Sequence, residues 1–139
     1  MKTNIVFTIL ISLVLFSWKK SSEKICELNE SNFVGVFKVK SVIYKYYAGD
    51  PGTDDFLTWD NCRKDDLRHI KADHTILHED AGMLCFPGGN STGAWALSGS
   101  TIVMNGQSGT VSFFDCNNTS IIFPQSVPNE TITLSLVRQ

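Results

Sequence analysis

From Phe33 onward the chain alternates. Short runs in which every second residue is apolar are divided, at intervals of about eight to twelve residues, by clusters of Gly, Asn, Asp, Ser and Pro. The run "FVGVFKVKSVIYKYY" (33–47) sets Phe33, Phe37, Val39 and Ile43 on one face and Lys38 and Lys40 on the other. A period of two is what a strand with one buried face requires. No segment after residue 30 carries a 3.6-residue apolar period with helix caps. The pattern therefore restricts the chain to an all-β fold.

Strands are expected at 33–47, 67–72, 75–80, 93–97, 101–105, 110–115, 120–123 and 131–137, about eight in all. Between them lie loops of turn formers, "GDPGTDD" (49–55) and "CFPGGNSTG" (85–93), and the dipeptides Asp73–His74, Ser98–Gly99 and Asn105–Gly106. The closing run "TITLSLV" (131–137) alternates cleanly, with Ile132, Leu134 and Leu136 on one side. About eight short antiparallel strands joined by hairpins suit an up-and-down barrel or a sandwich, and a barrel removes the exposed edges.

The first residues follow a different rule. Lys2 precedes Ile5–Trp18, an apolar stretch of about fourteen residues, too short for a comfortable membrane span but the length of a signal-peptide core. The expected organisation is a leader at 1–18, a tether at 19–32 and one folded domain at 33–139, in an exported protein of the periplasm, outer membrane or cell surface. Membrane association would come through the leader. "LVLFSWKKSS" (13–22) has the surroundings of a lipoprotein processing site, but Trp18 stands where the lipidated cysteine belongs. An indole cannot take the place of the thiol, which counts against lipid anchoring.

Net charge is −2 and the basic residues are scattered, so no electrostatic footprint for nucleic acid is present. Lys38, Lys40 and Lys45, and separately Arg63, Lys64, Arg68 and Lys71, read as solvated faces. The four cysteines, Cys26, Cys62, Cys85 and Cys116, form no C-x-x-C pair, which argues against zinc; an even number in an exported chain argues for disulfides, with three connectivities open.

"DNCRKDDLRHIKADHT" (60–75), "GMLCFPG" (82–88) and "GAWALSGSTIVMNG" (93–106), with "FVGVFKVKSV" (33–42) as opening strand, resemble the bacterial lipocalin-like domain proteins. The likeness spans about 33–137. Phe37 stands where those proteins usually have a tryptophan, Ile70 replaces an aromatic, and His74 replaces a turn glycine. The resemblance implies a small lipocalin-like β-barrel and a disulfide between Cys62 and Cys85. Cys26 and Cys116 then remain, and their pairing would tie the N-terminal arm to the turn near 116–119.

Catalytic chemistry finds little support. No G-x-S-x-G elbow and no phosphate-binding glycine loop is present. His69, His74 and His78 lack a third ligand for a metal, and Asp54, Asp55, Asp60, Asp65 and Asp66 do not follow EF-hand spacing. Asp65 and Asp66 are expected to brace the start of the second strand. No metal or cofactor is expected. Trp59, Trp95, Tyr44 and Tyr46 are the candidate ligand-contacting residues, with barrel filling as the competing role, above all for Trp95. The expectation is a monomeric, non-catalytic cell-envelope binding protein that takes a small apolar ligand in the barrel. The alternative is an interaction or inhibitor protein whose barrel is packed and whose loops do the binding. For the leader, mass spectrometry of protein taken from membranes should find no diacylated N-terminus; a diacylated one would refute the reading of Trp18.

Overall fold

The computed structural model describes residues 26–139. Expectations for the leader, for Trp18 and for the tether before residue 26 lie outside those residues. The described chain is one sheet of nine strands: β1 (Gly35–Lys45), β2 (Thr53–Asp54), β3 (Leu67–Ile70), β4 (Thr75–Glu79), β5 (Ser91–Ser98), β6 (Thr101–Met104), β7 (Gln107–Phe114), β8 (Asn118–Pro124) and β9 (Thr131–Arg138). Every pairing is antiparallel, and β1 also pairs with β9, so the sheet closes into an eight-stranded up-and-down barrel with β2 added beside β1. Each strand expected from alternation is present. The turn Asn105–Gly106 joins β6 and β7 with φ of 53° and 82°, the left-handed pair that a two-residue hairpin requires.

Two bulges give the barrel its shape. Val39 pairs with Leu136 and Ser41 with Ser135, leaving Lys40 as an extra residue in β1. The alternation flips there: Val39 and then Val42 face inward, and Ile43 is turned out toward β2. The inward placement of Ile43 read from strict alternation is thereby corrected, because a bulge changes the phase of every residue after it. A second bulge at Ser112 sets Val111 and Phe114 on the inner side, three positions apart.

The barrel has a base and a mouth. The base holds the start of β1, the end of β9, the β3–β4 turn and the β7–β8 turn; the mouth holds the loops 46–52, 80–90, 105–106 and 125–130. The base is plugged by α1 (Glu30–Phe33), a single turn capped by the Asn29 side chain, which accepts from the Asn32 N–H. Phe33, expected on the first strand, ends this helix instead and is wholly buried, its ring 5.6 Å from Trp95, 5.9 Å from Phe114 and 6.0 Å from Phe37.

Arg138 fastens the plug. Its guanidinium lies over the Phe37 ring at 4.7 Å and donates to the carbonyls of Val34, Asn32 and Cys116. Gly35 leaves the space this side chain occupies, since a Cβ there would collide with the guanidinium. Cys26 is bonded to Cys116 and Cys62 to Cys85, so both expected disulfides are present, the first stapling the N-terminal arm to the base. Paired cysteines throughout fit an oxidising compartment.

Ile70, Ile76, Ile102, Ile121, Leu134 and Leu136 fill the interior above the plug, and the Phe123 ring lies against Gly109, where no side chain competes. Emptying the plug site by Phe33→Ala should lower the unfolding free energy by about 3–5 kcal/mol, read from the denaturant midpoint. A loss below about 1 kcal/mol would show that the base is not part of the cooperative core.

Candidate functional site

The mouth is built by the segment between β2 and β3 and by the loop between β4 and β5. After β2 come a 3-10 turn, Asp55–Thr58, and α2 (Asn61–Lys64), which carry Phe56 and Trp59 against the core with their rings 5.4 Å apart. The loop 80–90 is shaped by carboxylates. Asp80 Oδ1 accepts from the Cys85 N–H and Oδ2 from the Gly89 N–H, while Asp65 Oδ2 accepts from Met83 N–H at 2.9 Å. Asp65 therefore braces this loop rather than the strand that follows it. The Cys62–Cys85 bond ties α2 to the same loop.

The register brings unexpected groups inside. Phe37, Arg68 and His78 are cross-strand neighbours on β1, β3 and β4, and Phe37 is buried. Arg68 and His78 thus point to the interior on the mouth side of the apolar core, which corrects the reading of Arg68 as part of a solvated face. The Asn105 amide reaches His78 Nε2 at 3.4 Å. Burial, then the Arg68 charge, holds the His78 imidazolium below its ordinary value of 6.5. Burial foremost raises the Asp66 carboxyl, with Asp80 and Asp65 adding to the shift. The Oδ1 atoms of Asp65 and Asp66 are buried without a donor.

Trp59, Arg63, Asp66, Arg68, Asp80, Cys85 and the Pro87–Gly89 backbone surround a cleft of about 280 Å³ at the mouth. A second cleft, of about 440 Å³, lies along the same loop against Leu84 and Phe86. A third, of about 430 Å³, is set apart between Lys40, Phe113, Asp115 and Ser135. Among the described residues no three His, Cys, Asp or Glu side chains are grouped to hold a metal ion. The ion pair among them is His69–Glu79 on the outer wall, and Arg68 has neither an ion-pair nor a hydrogen-bond partner.

The four aromatic candidates are not gathered into one cavity. Trp95 is core, its indole N–H donating to the Lys71 carbonyl and its ring 5.5 Å from His74. His74 takes φ of 64° in the turn where the sequence offers no glycine. Tyr44 donates to Glu130 Oε2, and its ring lies 4.6 Å from that of Tyr46, which is exposed beside it. Trp59 alone of the four borders the mouth cleft.

Apart from Tyr46, the sequence reading singled out none of the exposed apolar groups. Nine large apolar side chains are exposed among the described residues, and seven of them, Tyr46, Tyr47, Leu57, Met83, Leu84, Phe86 and Val127, stand on segments at the mouth. Leu57 is 72% exposed, Leu84 74%, and Phe86 fully.

His78 gives the mouth a pH signature. The unfolded chain binds a proton on this residue near pH 6.5 while the folded chain resists it, so stability falls as pH drops below that value. His78→Gln should flatten the stability profile between about pH 7 and pH 5, measured by urea unfolding. Parallel profiles for the two proteins would refute it.

No protein-family model matches the chain, and no curated protein is significantly similar to it.

Proposed function

We propose that this chain is a non-catalytic binding protein of the cell envelope, lipocalin-like in build, which engages its partner through the loops at the barrel mouth. The observation that carries this reading is the grouping of exposed large apolar side chains on those loops. A soluble surface rarely leaves such groups together unless they are covered by something. Phe86, Leu84 and Met83 sit on a loop fixed by Asp80, Asp65 and the Cys62–Cys85 bond, so they are presented on a rigid support. Rigid apolar and aromatic anchors lose little entropy on binding, which favours affinity. The interior is taken up by the protein's own side chains, which favours the loops over an enclosed apolar ligand.

The test is photo-crosslinking in envelope preparations with p-benzoylphenylalanine in place of Phe86, and in place of Val103 on the outer wall as control. A discrete adduct from position 86 and none from 103 is expected. Equal labelling from both, or none from either, would overturn the proposal. Native mass spectrometry of the same material serves as a second check, since a lipid retained in one-to-one ratio would favour a ligand held inside the barrel.

A further inference from the structure

A charged cleft lies beside the apolar side chains Leu84 and Phe86, and the hydrogen-bond balance of that cleft is uneven. Four charged side chains line it: Arg63, Arg68, Asp66 and Asp80. Asp80 already accepts on both oxygens, from Cys85 and Gly89. Asp66 has its Oδ1 shielded. The guanidinium of Arg68, half-buried on the inner face of the barrel, finds no acceptor among the described residues, and neither does that of Arg63. Asp80 is engaged by backbone N–H groups and Asp66 Oδ1 is shielded from solvent, while the two guanidinium forks have no acceptor among the described residues.

A half-buried guanidinium without an acceptor is costly, because the hydration it gives up is not replaced. A planar fork of N–H donors is matched most closely by a carboxylate, which can take two parallel hydrogen bonds. At about 280 Å³ the cleft is just below the usual small-molecule range of about 300–1000 Å³, and it opens onto the apolar rim instead of being enclosed by it. Apolar side chains beside such a cleft can shield a polar contact made in it from water, as the surroundings of an interface hot spot do.

We infer that the mouth cleft receives an acidic side chain of a partner polypeptide on Arg68 and Arg63, with apolar residues flanking that acid laid on Leu84 and Phe86. This inference rests on the loop-binding reading above and adds the chemistry of the partner. Trp59 forms one wall of the cleft and reports its occupancy through its indole N–H.

The experiment titrates the full folded domain, both disulfides intact, with acetyl-Leu-Glu-Phe-amide and with its Gln counterpart, following the Trp59 indole and Arg68 Nε–H resonances by NMR. The Glu peptide should shift both signals and bind about tenfold more tightly than the Gln peptide, a preference that falls as salt is raised. Arg68→Met should abolish the preference. Arg68→Lys, which keeps the charge but loses the fork, should retain part of it and guards against a folding failure in the first variant. Equal binding of the two peptides, or an undiminished preference in Arg68→Met, would overturn the inference. Acetate or decanoate producing the same shifts at the same concentration would also overturn it, by assigning the cleft to small acids. If the peptides are not distinguished while position 86 still crosslinks, the carboxylate inference fails and loop binding stands; if neither occurs, both fail.

Discussion

The fold depends on what happens where β9 meets β1. Closing the sheet there satisfies the backbone along both strands and removes the exposed edges of the eight-strand cylinder, but it also fixes the position of the last strand residue, Arg138. From that position the guanidinium reaches three carbonyls, on α1, on Val34 between α1 and β1, and on the β7–β8 turn, and lies across the Phe37 ring. Two ends of the barrel wall and the plug are thereby joined by one side chain. The apolar stem and ring contact make that join more than a set of hydrogen bonds, since it packs as well as pairs.

The base and the mouth are built on opposite principles. At the base the aromatic rings of Phe33, Phe37, Trp95 and Phe114 pack together, and the polar groups around them are paired. At the mouth the groups unpaired among the described residues accumulate: Arg68 without an acceptor and the shielded oxygens of Asp65 and Asp66, beside a loop of exposed apolar side chains. Unsatisfied polar atoms and uncovered apolar surface on the same end of a small domain leave that end the less stabilised of the two.

How far the sequence could be read follows from the length of each signal. β9 repeats its alternation over enough residues to be unmistakable, and Asn105–Gly106 carries its turn type in its composition. A bulge has no such mark, so nothing in "KVKSV" announces that Lys40 is the extra residue. α1 is one turn long, too short for a 3.6-residue period to repeat. β3 offers four residues in which Leu67 and Ile70 have opposite parity, so the side that faces inward is undecidable locally; the pairing of Arg68 with Phe37 decides it. The candidates chosen for being aromatic scattered for the same reason, Trp95 to the core and Tyr46 to the rim, with Trp59 alone at the cleft. The Cys62–Cys85 link was legible only through likeness to a family, because spacing leaves all connectivities open.

The bond between Cys26 and Cys116 has a mechanical consequence. Tension arriving along the chain from upstream of residue 26 meets the disulfide before it meets α1. Part of the load passes through a covalent link into the β7–β8 turn, and the turn is braced by Asp115, which accepts from the N–H groups of Asn117 and Asn118. The helix that carries Phe33 is relieved of that share. The barrel can therefore be pulled from its N-terminal side without its stopper being drawn out first.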